Sequence, residues 1–323
     1  MKSFGLGAYA LRGCVAVALL AGCGAPRPIG APGATAIAPG HTLEGSWMRA
    51  DAKSGDLVYV SNPGNDTVTV YGYQSRKLVG TLDGFSNPAG LCADTAGNVW
   101  ITNEGEHDVI EYAHGGTQPI QTLDDGSEQP SACSVDKKTG NLAVLNADDV
   151  AVYPDASGSP TLYSGGQVYG DYALGYGAHG DLLVDGGSYD NSKLIAFAQL
   201  RSGMMDLKQV VLSKTLLWAP PTFVQWDGQF WVVGAQTLDW FRITGNKGKL
   251  EGYTVLSPTS STTQFWIASV GGGSARGNQI VVTEDDPYEV EFFQYPAGGK
   301  AFANIIDGLS NPYGIAVSKE SKQ

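Results

Sequence analysis

Asn62, Asn103, Asn146, Asp185 and Glu284 each end a short β-forming run: LVYVSN, VWITN, LAVLN, LLVD and QIVVTE. With QFWVVGA, which has Gln236 just past its end, these runs recur about every 40–50 residues. One amide or carboxylate at the same place in each unit would bring a ring of side-chain oxygens to one face, if the units sit around an axis. Such a ring suits a polyhydroxylated ligand or Ca²⁺, which takes oxygen ligands at flexible geometry. The same residue types also cap the hairpin turns that follow a strand, so turn-building competes with binding for every one of them.

Other chemistry-bearing residues are sparser. His107, His114 and His179 fall near turns, where an imidazole is ordinarily solvated. Glu284-Asp285-Asp286 is the densest acidic run and reads as a turn. Trp218, Trp226, Trp231 and Trp240 crowd one unit with Phe223, Phe230 and Phe241. Dense aromatics can line a sugar cleft, but alternation along strands places them between packed sheets. No Gly-x-Ser-x-Gly elbow, zinc spacing or phosphate loop occurs, and no cofactor is expected beyond calcium at that ring.

The elements that must position these residues are legible. Thr67-Val-Thr-Val-Tyr71 alternates polar and apolar, as a half-buried strand does. The octapeptide Asp83-Gly-Phe-Ser-Asn-Pro-Ala-Gly90 returns as Asp307-Gly-Leu-Ser-Asn-Pro-Tyr-Gly314. The second copy is followed by a single strand, while Leu57–Asn62 opens the folded part in mid-unit. The expected architecture is therefore all-β, a six-bladed β-propeller over residues 46–323. Its C-terminal strand Gly314–Val317 pairs with the first blade.

Composition agrees with a folded β chain: 42% hydrophobic, 16% charged and 44 glycines. A formal net charge of −12 excludes phosphate-backbone recognition, so no nucleic-acid partner is expected. Lys2 and Arg12 with Val15–Leu20 form a signal peptide over residues 1–22, and Leu20-Ala-Gly-Cys23 resembles the lipobox of bacterial lipoproteins. Cys23 would carry the lipid, residues 23–45 a Pro/Ala/Gly-rich tether, and the protein would sit in the bacterial cell envelope, on membrane by the lipid alone. Of the remaining thiols, Cys92 and Cys133 fall on the inner strands of consecutive blades. In an oxidising compartment they are a disulfide candidate.

VYVSNPGNDTVTVY and VWITNEGEHDVIEY, each followed by a strand entered through Pro, resemble NHL and YncE-like propeller repeats over residues 55–318. The wider group includes the SMP-30 and gluconolactonase propellers. Their metal ligands, by that resemblance, occupy the middle of Pro-x-Gly motifs, where this chain has Ala89, Tyr313 and Ser131. The resemblance thus implies a propeller that binds a protein or small polar ligand, or acts as a scaffold. A metal-dependent hydrolase or lyase at the channel mouth is the alternative.

Overall fold

Each sheet is built by consecutive strands folding back on themselves, and the computed structural model shows how the repeat achieves this. It describes residues 45–126, 128–188, 195–216, 223–234, 237–257, 262–268 and 278–320, all within the unit Thr35–Gln323. The signal-peptide, tether and Cys23 expectations, together with Trp218 and Gln236, lie outside the described residues apart from Gly45 at the tether's end.

The first sheet contains β1 (Trp47–Met48), β2 (Leu57–Asn62), β3 (Thr67–Gly72) and β4 (Leu78–Leu82). The second contains β5 (Pro88–Ala93), β6 (Val99–Asn103), β7 (Asp108–Tyr112) and β8 (Pro119–Asp124). The third contains β9 (Ala132–Val135), β10 (Leu142–Leu145), β11 (Val150–Tyr153) and β12 (Thr161–Tyr163). An eight-stranded sheet follows. It holds β13 (Val168–Tyr176), β14 (Leu182–Ser188), β15 (Ile195–Leu200) and β16 (Lys208–Leu212), then β17 (Phe223–Trp226), β18 (Trp231–Gly234), β19 (Thr237–Thr244) and β20 (Lys247–Val255). The last four-stranded sheet is β21 (Thr262–Ala268), β22 (Asn278–Asp285), β23 (Tyr288–Tyr295) and β24 (Ala303–Ile305). The final strand, β25 (Ile315–Ser318), returns to pair antiparallel with β2, Leu57 opposite Ser318 and Val60 opposite Ile315.

This is an all-β propeller. One departure from six separate four-stranded sheets is the parallel pairing of outer strands β16 and β20, Val211 with Lys247 and Leu212 with Gly248. β20 runs nine residues, long enough to reach its neighbour, and a Cβ on Gly248 would lie 2.4 Å from Leu212 Cδ2. The glycine lets the two edges meet.

The duplicated octapeptide is a conformational unit. Gly84 and Gly308 have φ of 85° and 79°, and Asn87 and Asn311 have φ of 53° and 54°, left-handed values that Gly and Asn tolerate best. The octapeptide's last glycine admits the neighbouring inner strand. A Cβ at Gly90 would stand 2.6 Å from the Ala132 Cα, and one at Gly314 would strike the Ala89 carbonyl oxygen.

The core lies between sheets. One cluster joins the first and second sheets through Tyr59, Val70, Leu91 and Ile101, and another joins the second and third through Trp100, Leu142 and Tyr153. Phe223, Phe241, Phe265 and Phe293 pack the later sheets together, while Val58, Val60 and Ile315 pack on Phe292 and Val281 of the last sheet. The packing thereby returns from the last sheet to the first.

Two buried carboxyls carry a pH consequence. Burial, then the Asp94 charge, raises Glu111 to about 7, although Asn98 donates to it at 2.9 Å. Burial, then Glu289 and Glu284, raises Glu291 to about 7. Both groups stay protonated in the fold after the unfolded chain has ionised near 4.5. Their contribution is complete below that value and is lost as pH rises to about 7, on the order of 1–3 kcal/mol per group. His114 works in the opposite sense, because burial lowers its pKa and the unfolded chain takes up its proton first. Melting temperature should therefore be higher near pH 5.5 than near pH 8, and Glu111→Gln with Glu291→Gln should flatten the profile. A wild-type profile already flat over that range would contradict the assignment.

Candidate functional site

The innermost strands of neighbouring sheets stand side by side and are tied directly to one another. The Gly90 N–H donates to the Ser131 carbonyl at 2.9 Å, and the Tyr176 N–H to Ser134 Oγ at 3.0 Å. The Ile267 N–H donates to Gln225 Oε1 at 2.7 Å, and the Ile315 N–H to Gln264 Oε1 at 2.6 Å. Cys92 and Cys133 are joined by a disulfide with Cα atoms 5.6 Å apart, a covalent tie between β5 and β9.

These strands enclose a cavity of about 330 Å³. Its inner wall is Leu91, the disulfide, Ala132, Ala173, Phe223 and Phe265. Towards the ends of the inner strands it is walled by Tyr176, Trp226 and Trp266, and its rim is the β9–β10 turn with Asp136, Lys137 and Lys138. Trp266 is partly buried and packs on three of the inter-sheet clusters, so its indole spans a shared central space. Trp226 meets Trp231 edge-on at 5.5 Å, and Phe223 meets Phe265 at 5.9 Å, fixing the aromatic wall. A smaller cavity of about 140 Å³ adjoins it through Gly177, Ala178 and Trp226, and reaches His179 and Arg242.

The rim is held by aspartates that cap the turn following an inner strand. Asp94 Oδ1 accepts from the Ala96 and Asn98 N–H groups, and Asp227 Oδ1 from those of Gln229 and Phe230. Asp136 Oδ1 accepts from the Lys138 N–H and Oδ2 from Thr139 Oγ1 at 2.6 Å. Burial, then the Asp136 charge, pushes the Tyr176 phenol well above its ordinary range, so it is a neutral group at the rim.

None of the five ring candidates lines this cavity. They end second strands, whereas the cavity opens where inner strands end, at the hairpin face carrying Asp94–Gly97 and Asp136–Gly140. All five are buried. Asn62 Oδ1 accepts the Ser310 N–H at 2.9 Å while its amide donates to the Val60 carbonyl and Thr69 Oγ1. Asn103 does the equivalent in the next unit, accepting from Ser86 at 2.7 Å and donating to Asp108 at 2.9 Å. Ser86 and Ser310 hold the same place in the duplicated octapeptide, so each asparagine pins the segment entering an inner strand. Asn146 donates to Asp149 at 3.0 Å, Glu284 accepts from Thr262 at 2.8 Å, and Asp185 lies opposite Ala173 in the β13–β14 ladder. These contacts build turns and strand ends. Among the described residues no group of three or more His, Cys, Asp or Glu is placed to hold a metal ion.

Asn103→Ala should accordingly destabilise the fold by about 2–4 kcal/mol, since it strands the Ser86 N–H and a partner of Asp108. Denaturant titration measures this. A cost under about 0.5 kcal/mol would return Asn103 to the list of free, ligand-facing amides.

Sequence reasoning did not single out Lys137, Tyr176 and Trp266, which line the cavity. The available signal was positional: the aspartate turns recur after inner strands as regularly as the asparagines recur after second strands.

No protein-family model matches the chain, and no curated protein matches it. Solved structures do. A structure of the nidogen/laminin complex aligns at a TM-score of 0.64 and 11% identity, covering 83% of this chain and 100% of that one. A protein of unknown function from Bacteroides caccae aligns at 0.60 and 9%, covering 82% and 99%. The β-propeller domain of Myceliophteria thermophila Cps50 (Swd1) aligns at 0.52 and 10%, covering 86% and 90%. At these identities the likeness is one of fold, a β-propeller.

Proposed function

We propose that this chain is an exported, lipid-anchored six-bladed β-propeller of NHL/YncE-like type, and that it works as a binding module with the channel cavity as its ligand site. The observation that carries the binding role is the cavity itself: about 330 Å³, walled by Tyr176, Phe223, Phe265, Trp226 and Trp266, with Ser134, Gln225, Gln264 and the charged rim as its polar groups. Concave, mostly apolar sites of this size are where proteins hold small ligands. Counting the eight-stranded sheet as two meanders, β13–β16 and β17–β20, gives six blades, the first completed by β25. The Leu20-Ala-Gly-Cys23 lipobox and the Pro-rich segment after it support the anchor and tether, and with them a place in the bacterial cell envelope.

The site differs in character from the polar ring expected from the strand-end amides. A ligand here would be held chiefly by apolar and aromatic contact. The purified protein should bind an environment-sensitive dye such as anilinonaphthalene sulfonate at one site per chain, with quenching of tryptophan emission. Trp226→Ala should weaken that binding about tenfold or more, the cost of losing one well-packed aromatic anchor. Absence of saturable binding to the folded protein would reject the cavity as a ligand site.

A further inference from the structure

Two lysines stand side by side at the rim of an apolar cavity in a chain whose net charge is −12. Lys137 and Lys138 occupy the β9–β10 turn and line the same cavity as Trp226 and Trp266. Both residues are exposed, and among the described residues neither ammonium is engaged in an ion pair. The one carboxylate beside them, Asp136, is 3% exposed, and both its oxygens accept hydrogen bonds from its own turn. Lys319, the nearest further cation, is held by Asp56 at 2.8 Å.

We propose that the cavity takes a small amphipathic anion, an aromatic monocarboxylate or its equivalent, with its ring against Tyr176, Phe223, Trp226 and Trp266 and its acid group at Lys137 and Lys138. This rests on the reading of the cavity as the ligand site and adds the charge and body of the ligand. The ring is favoured over a flexible chain because four aromatic side chains line the space, two of them, Phe223 and Trp226, held edge-on by Phe265 and Trp231, and offer faces and edges to a planar group. The acid is favoured because two cations stand at the mouth against the single carboxylate of Asp136. Desolvation of its ammonium by burial, then the Lys319 charge, lowers the Lys137 pKa although the residue as a whole is exposed. A bound carboxylate would relieve that repulsion.

The test uses three probes of one shape on the purified full-length protein: naphthoate, naphthamide and naphthylmethylammonium, followed by tryptophan quenching and calorimetry. Naphthoate should bind about tenfold tighter than naphthamide, the equivalent of one partly desolvated ion pair, and naphthylmethylammonium weakest. Added salt should narrow the gap. In the Lys137→Gln, Lys138→Gln variant naphthoate should fall to the level of naphthamide, whose own affinity stays unchanged. Equal binding of naphthoate and naphthamide to the wild type overturns the anion preference and leaves the cavity reading intact. Equal loss of both in the variant overturns the role of the lysines. Failure of all three probes overturns the cavity reading itself.

Discussion

Truncation after Asn311 should abolish cooperative folding, or lower the melting temperature by more than about 15 °C. The strand it removes is buried throughout, with Ile315 and Ala316 fully inaccessible. Loss of Ile315 and Val317 from the core forfeits about 1.5–3 kcal/mol of transfer free energy each. The four-residue ladder with β2 goes too, leaving a buried edge unpaired. The damage spreads to the neighbouring sheet. Thr263 Oγ1 donates to the Pro312 carbonyl at 2.9 Å and Thr283 Oγ1 to that of Tyr313 at 2.8 Å. Ser318 Oγ also bonds the Gly97 carbonyl of the β5–β6 turn. The segment from Pro312 to Ser318 thus serves three sheets. Calorimetry of the truncated chain decides the point, and an unchanged melting temperature would refute it. Ile315→Ala, a milder lesion, should cost about 2–5 kcal/mol.

Breaking the Cys92–Cys133 bond comes next in size. The two residues are 41 apart in sequence. Closing a loop of that length restricts the unfolded chain by about 4 kcal/mol in the chain-entropy treatment. For a domain of this size that corresponds to roughly 10 °C in melting temperature. The Cys92→Ser, Cys133→Ser variant should show that drop. It should also loosen ligand binding at the cavity, because the bond lies in its wall. Unfolding the wild type without reductant should leave Cys92 and Cys133 unreactive towards a thiol reagent. Two reactive groups from these positions would exclude the bond.

Much of the fold was readable because its demands are local. The octapeptide repeats since each copy must supply a left-handed Gly, a left-handed Asn and a glycine thin enough to admit the neighbouring strand, and few residues meet those needs. Asn62 and Asn103 recur for a related reason: each caps the Ser of an octapeptide, Ser310 and Ser86. The same recurrence favours turn-building over ligand binding. An amide at a fixed place in every unit serves what every unit shares, which is the turn, whereas a ligand site uses what differs between units. Lys137 and Trp266 have no counterpart pattern along the chain.

From residues alone came the all-β repeat, the return of the last strand to Leu57–Asn62 and the candidate pairing of Cys92 with Cys133. All three rest on short-range rules of strand alternation, turn chemistry and spacing. Which face of the ring carries a cavity was decided only by the tertiary structure. Phe223, Phe265, Tyr176 and Trp226 come from segments up to 89 residues apart, and their common space exists only after the inner strands are aligned. The edge junction of β16 with β20 is of the same kind. Its strands pair because Gly248 happens to face Leu212, a contact that neither segment announces by itself.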